Sequence, residues 1–182
     1  MTERPQNEDL DTPALLDKLS SDLGNLLQSR KIDNPLMIGI HSGGAWVANE
    51  LHKNLNLKHP LGTLNITFYR DDFTRIGMHP QVEPSNLPFN VDDQHIVLVD
   101  DVLHTGRTIR AALNEIFDYG RPASVILAVL VERDSRELPI SADVAATRIE
   151  LKPGQHIKLN RDVTDSNKQS HDLLTLSIEE GK

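Results

Sequence analysis

At 182 residues, 38% apolar and 25% charged, the chain is long enough for one domain that buries roughly 70% of its unfolded surface. Its 27 acidic residues against 19 basic ones leave a formal charge of −8. That balance argues against nucleic acid as a main partner, because such partners bind chiefly through neutralised phosphates. No cysteine is present, so disulfides, thiolate metal sites and a thiol nucleophile are excluded, in keeping with a cytoplasmic protein.

The first stretch, residues 1–11, is polar and acidic and reads as a mobile extension, not a signal peptide. No run approaches the ~20 apolar residues of a membrane helix. Residues 12–182 read as a single domain. Leu15, Leu16, Leu19, Leu23, Leu26 and Leu27 recur at helical spacing, with Thr12 as the expected N-cap and Pro13 in the first helical position. Asn34-Pro35 breaks the chain before LMIGI (36–40), a buried parallel strand. His41-Ser42-Gly43-Gly44 forms a tight loop, and Trp46, Val47, Leu51 and Leu55 mark the next helix. TLNITFY (63–69) alternates and reads as a strand. The segment 70–90 has three prolines and no period, the pattern of a lid.

HIVLVD (95–100) is another buried strand, and Ile109, Ala112, Leu113, Ile116 and Phe117 mark a helix stopped by Gly120. SVILAVLV (124–131) is the most apolar strand and is expected at the centre of the sheet; shorter strands are expected near 144–149, 155–159 and 172–178. Strand–helix alternation of this kind predicts an α/β fold with a parallel sheet. Ligands gather at the carboxyl ends of such strands, which places loops 41–44, 100–108 and 132–137 on one edge.

The densest chemistry lies in IVLVDDVLHTGRT (96–108). Gly106 permits positive φ and close backbone approach, and a helix that begins there adds its positive dipole, with hydroxyl donors from Thr105 and Thr108. The bland reading is a simple N-cap after a strand; the sharper one is a phosphate cradle. Asp100 and Asp101 would repel a phosphate, so they have to serve another part of the ligand. Carboxylates accept hydrogen bonds from vicinal hydroxyls and bind Mg²⁺. Phosphate at one end and a diol a few ångströms away describe a ribose 5-phosphate.

This stretch resembles the signature of type I phosphoribosyltransferases, which bind 5-phosphoribosyl 1-diphosphate (PRPP). TFYRDD (67–72), RTIRAALNEIFDYGRPASVILAVLVER (107–133) and SRELPI (135–140) further resemble the PyrR family of uracil phosphoribosyltransferases, some of which regulate pyrimidine operons through mRNA. The resemblance, from about Leu36 to Ile140, implies a type I phosphoribosyltransferase fold with a small hood and a flexible lid. It implies PRPP, uracil, UMP and Mg²⁺ as ligands and a homo-oligomer, dimer or higher.

The same resemblance assigns Asp100 and Asp101 to the ribose hydroxyls and the metal, and His104, Thr105, Gly106, Arg107 and Thr108 to the 5-phosphate. His41, Ser42, Gly43 and Gly44 correspond to the pyrophosphate loop. Many relatives carry arginine where Gly43 stands, so a charged contact is missing there. His41 is read either as a proton or charge donor or as a plain loop residue. Arg70, within Tyr69-Arg70-Asp71-Asp72, is the expected replacement cation and catalytic residue, with Arg75 as a second candidate and a solvated charge cluster as the alternative. Val131, Glu132 and Arg133 correspond to the base-contacting segment, Arg133 either covering the base or pairing with Glu132 or Asp134. RNA-binding relatives often read Gly-His-Arg-Glu-Leu-Pro-Ile-Arg where this chain has residues 134–141; two basic side chains are gone, at Ser135 and Ser141, an acid is gained at Asp134, and Arg136 remains, so RNA is a possible but disfavoured partner. The other readings are a UMP-sensing RNA-binding protein without catalysis, a transferase for another base, and a PRPP sensor without chemistry.

Overall fold

The computed structural model describes residues 10–66, 84–163 and 172–181. Helix α1 (Thr12–Ser29) leads into strand β1 (Leu36–Ile40), helix α2 (Gly43–Asn54) and strand β2 (Gly62–Leu64). Strand β3 (His95–Leu103), helix α3 (Arg107–Tyr119), and strands β4 (Ser124–Arg133) and β5 (Val144–Ile149) follow. Strands β6 (Gln155–Val163) and β7 (Asp172–Glu180) form a separate antiparallel pair.

The main sheet is parallel throughout, in the order β2-β1-β3-β4-β5. β3 therefore takes the central place expected for 124–131, and β4 lies beside it. Both strands are buried on two faces, which explains their unbroken apolar runs. On β3, Val97 and Val99 face the layer of α1, α2 and the β6–β7 hairpin, while Ile96 and Leu98 face α3. Ile126, Ala128 and Leu130 of β4 join the first cluster, Leu127 and Val129 the second. In the first layer Leu19 and Leu23 of α1 are fully buried and share a cluster with Leu159, Leu174 and Leu176 of the hairpin. The Arg161 guanidinium lies 5.8 Å from the ring centroid of Trp46, a further tie between hairpin and α2.

Several local expectations need correction. Asp11, not Thr12, caps α1: its Oδ1 accepts from the Ala14 amide at 3.0 Å. Thr12 is turned inward, and its hydroxyl accepts from the Leu176 amide at 2.9 Å while donating to the Leu10 carbonyl. β2 ends at Leu64, and the Asn65 amide donates to the Ser85 hydroxyl instead of continuing a ladder. The strands expected at 155–159 and 172–178 both run longer. Residues 67–83, most of the expected lid, and residues 1–9 of the expected extension lie outside the described residues. The remainder of the lid segment is docked: Asn86 and Thr63 exchange backbone hydrogen bonds at 2.8 Å, and Leu87 and Phe89 lie against Gly62.

Candidate active site

Strand order reverses between β1 and β3, because the chain moves outward to β2 on one side and to β4 and β5 on the other. In open parallel sheets such a reversal opens a crevice at the carboxyl ends of the two strands, where ligands bind. The loop after β1 and the motif at the end of β3 both open there, since Gly39 is paired with Val99.

Asp100 and Asp101 lie within β3, close to its carboxyl end. Asp100 is 2% exposed, and its Oδ1 accepts from the Asp101 amide at 3.0 Å. Asp101 is half-buried and repeats the arrangement with the Val102 amide at 2.9 Å. These local bonds fix both carboxylates, and a carboxylate, with two acceptor oxygens, can take more than one such bond. Asp100 is registered with Val129, Val102 with Val131 and Leu103 with Glu132, so β4 brings the expected base segment alongside the acids.

The pyrophosphate-loop candidates meet the same acids. Gly43 and Gly44 open α2, and the His41–Ser42 peptide bond is cis. A Cβ on Gly43 would lie 2.6 Å from Asp101 Cγ, and one on Gly44 would lie 2.9 Å from Asp100 Cα. The place that an arginine side chain would leave from is thus filled by Asp101. The loop and the acid are thus in direct contact at Gly43.

Beyond β3, His104, Thr105 and Gly106 turn into α3. Gly106 sits at φ +95°, a conformation that favours glycine, and its carbonyl accepts the amide of Arg110 at 3.0 Å as the helix opens. No acid lies in the first turn of α3 to offset the positive helix end. Thr105 Oγ1 accepts from the Arg107 amide at 3.3 Å, which leaves the hydroxyl proton for donation. Arg107 pairs with Glu137 at 2.6 Å on the surface. His104 is held below the ordinary imidazole range, first by burial, then by the positive charges of Arg133 and Arg136, against the opposing pull of Asp134 and Glu137.

The base segment contradicts one expectation. Glu132 pairs with Arg136 at 2.7 Å and with Arg148 at 2.9 Å, and these occupy both of its oxygens. Arg133 forms no ion pair with it, and Arg133 Nε is buried without a hydrogen-bond partner, a donor suited to a ligand carbonyl. The side-chain pairings that sequence reasoning missed are those of Glu132 with Arg148 and with Arg136. The four-residue spacing of Glu132 and Arg136 was the one available signal. Tyr69, Arg70, Asp71, Asp72 and Arg75 lie outside the described residues.

Among the described residues no three His, Asp or Glu side chains converge to hold a metal alone. Two adjacent carboxylates nevertheless suit Mg²⁺, which is commonly bound by one or two carboxylates together with substrate phosphates and water.

The phosphoribosyl transferase domain family matches residues 6–163, which sets the chain in that class of transferases. A bifunctional protein PyrR from Nitrosococcus oceani is 59% identical over 157 residues, covering 85% of this chain and 89% of that one. One from Pseudomonas paraeruginosa is 58% identical over 151 residues, covering 82% and 89%. The chain belongs to the PyrR family. A solved purine phosphoribosyltransferase from Pyrococcus horikoshii shares the fold, with TM-score 0.57 and 23% identity over 75% of this chain and 83% of that one. A hypoxanthine-guanine-xanthine phosphoribosyltransferase does so with TM-score 0.60 and 18% identity, covering 93% and 92%.

Proposed function

We propose that this phosphoribosyltransferase uses uracil as acceptor, taking the phosphoribosyl group from PRPP to give UMP and pyrophosphate. The placement of Asp100 and Asp101 at the switch point beside the Gly106-opened helix α3 carries the phosphoribosyl donor, and the 59% and 58% identity to two PyrR proteins supports the acceptor. The bond from ribose C1 to the pyrophosphate oxygen breaks, the bond from C1 to uracil N1 forms, and the N1 proton leaves. Asp100 and Asp101 hold the ribose hydroxyls, and the amides and hydroxyls of His104 to Thr108 hold the 5-phosphate. Backbone groups of His41 to Gly44 serve the pyrophosphate, and Arg70, which lies outside the described residues, is the residue assigned to supply the cation that Gly43 lacks. Asp100 and Asp101 would hold Mg²⁺ together with PRPP, and the metal would supply positive charge for the leaving pyrophosphate. Positioning and electrostatic stabilisation of this kind account for catalysis without a nucleophile. Arg133 Nε, buried and unpaired, serves a uracil carbonyl.

The test is release of pyrophosphate by the purified protein with PRPP, Mg²⁺ and a panel of bases that includes uracil, hypoxanthine, guanine and orotate. Turnover with uracil above all others is expected; preference for a purine or orotate, or no turnover with any base, overturns the reading.

A second reading, RNA binding sensitive to UMP, is favoured by the word bifunctional in the names of the relatives. The orientation of Arg136 opposes it, since that side chain is 22% exposed and engaged with Glu132. Strong, salt-dependent binding of a leader hairpin, enhanced by UMP, would establish it.

A further inference from the structure

β4 delivers Glu132 to a place where it is only 8% exposed, and a buried carboxylate has to be paired. Its two arginines are not equivalent. The Arg148 side chain is 79% exposed, so its attraction is screened by water, whereas that of Arg136 is 22% exposed. Arg136 also reaches the other way: its Nη1 donates to the His104 carbonyl. The next residues continue the contact, with the amides of Glu137 and Leu138 donating to the Thr105 carbonyl at 3.0 and 3.1 Å. Leu138 and Ile140 back the loop at Gly106.

Two successive carbonyls of the phosphate loop, those of His104 and Thr105, thus point into the 136–140 segment. In a planar trans peptide the amide N–H points opposite to the carbonyl. Turning these carbonyls inward therefore turns the Thr105 and Gly106 amides outward, toward the side where an anion would sit.

We propose that Glu132 and Arg136 form a positioning pair that sets the phosphate loop for a 5-phosphate. The inference rests on the phosphoribosyl reading of the site. Glu132 orients Arg136, Arg136 anchors the His104 carbonyl, and the loop amides follow. Neither side chain touches the ligand.

The experiment compares Arg136→Gln, Arg136→Lys, Glu132→Gln and the double variant Glu132→Gln/Arg136→Gln in the full chain. Ribose 5-phosphate binding is measured by calorimetry, alongside kcat and KM for PRPP and folding by thermal denaturation. Arg136→Gln is expected to weaken ribose 5-phosphate binding and raise KM for PRPP about tenfold, the size of one charge-assisted hydrogen bond, with kcat within about threefold. Arg136→Lys and Glu132→Gln are expected to fall between it and the wild type. The double variant is expected to be no worse than Arg136→Gln, because the two residues act in series. If Arg136→Gln fails to fold, Glu132→Gln and Arg136→Lys carry the test. Folded variants with wild-type ribose 5-phosphate affinity overturn the inference. Uracil turnover by the wild type is scored separately, so failure of the acceptor assignment leaves the ribose 5-phosphate comparison intact.

Discussion

Replacing Gly43 by alanine adds one carbon where the structure has no room for it. The new Cβ would lie 2.6 Å from Asp101 Cγ and 3.1 Å from Asp101 Cβ. Relaxed carbon contacts are about 3.5–4 Å, so the carboxylate or the loop has to retreat by about 1 Å. Retreat of Asp101 breaks its 2.9 Å bond from the Val102 amide, and retreat of the loop moves the start of α2. Overpacking of this kind costs about 1–3 kcal/mol of folding stability. A displacement near 1 Å in a reacting site costs about 100-fold in rate. We therefore expect Gly43→Ala to lose about two orders of magnitude in kcat/KM with PRPP and uracil, with a lowered thermal midpoint. Gly43→Arg shares the same Cβ, so restoring the arginine of many relatives is expected to harm activity too. Steady-state kinetics and a melting curve are enough. An alanine variant with kcat/KM within about threefold of wild type, or an arginine variant faster than wild type, would refute the reasoning.

Asp101→Asn keeps the shape but removes the charge, and should lower kcat/KM by about 10²–10³-fold, read by pyrophosphate release. His104 should weaken the fold in acid. Its folded value lies below its unfolded one, so below the ordinary imidazole value the unfolded chain takes up a proton that the folded chain resists, and stability falls; at higher pH it contributes nothing. Urea midpoints measured from pH ~7.5 down to ~5.5 should fall less steeply in His104→Gln, and parallel curves would assign the acid sensitivity elsewhere. Leu23→Ala empties a fully buried position and should cost about 2–5 kcal/mol in urea unfolding. Thr12→Val leaves the Leu176 amide without its 2.9 Å acceptor and should cost about 1–3 kcal/mol; a change below half that would mean the amide finds water.

The parts of the fold readable from sequence were those set by local pattern. Runs buried on both faces, such as 36–40 and 96–100, have one plausible home in a parallel sheet, and Gly106 has one conformational reason to follow a strand. What escaped depends on distant neighbours. Asp11 and Thr12 are both competent caps, and the choice turns on Leu176, whose amide draws the Thr12 hydroxyl inward. β2 gives out at Leu64, where the Ser85 hydroxyl takes the Asn65 amide, and residues 67–69 of the expected strand lie outside the described residues. The apolar richness of 124–131 measures burial, not rank within the sheet, which is set by how the crossovers run. At the site, the two acids and the glycine turn were legible because charge and backbone freedom are local properties. The engagement of Glu132 by Arg136 and Arg148 needed the register of β4 against its neighbours.

The contact between Thr12 and Leu176 joins residues 164 positions apart. On a ribosome adding about 5–20 residues each second, α1 waits roughly ten to thirty seconds for the strand that receives it. Leu16, Leu19 and Leu23 share their cluster with Leu174 and Leu176, so part of their cover arrives only then. All five strands of the main sheet emerge before β7. The newborn protein therefore passes through a stage in which α1 can pack on β4, β5 and α2 while the side that β7 covers is still open to chaperones and to self-association.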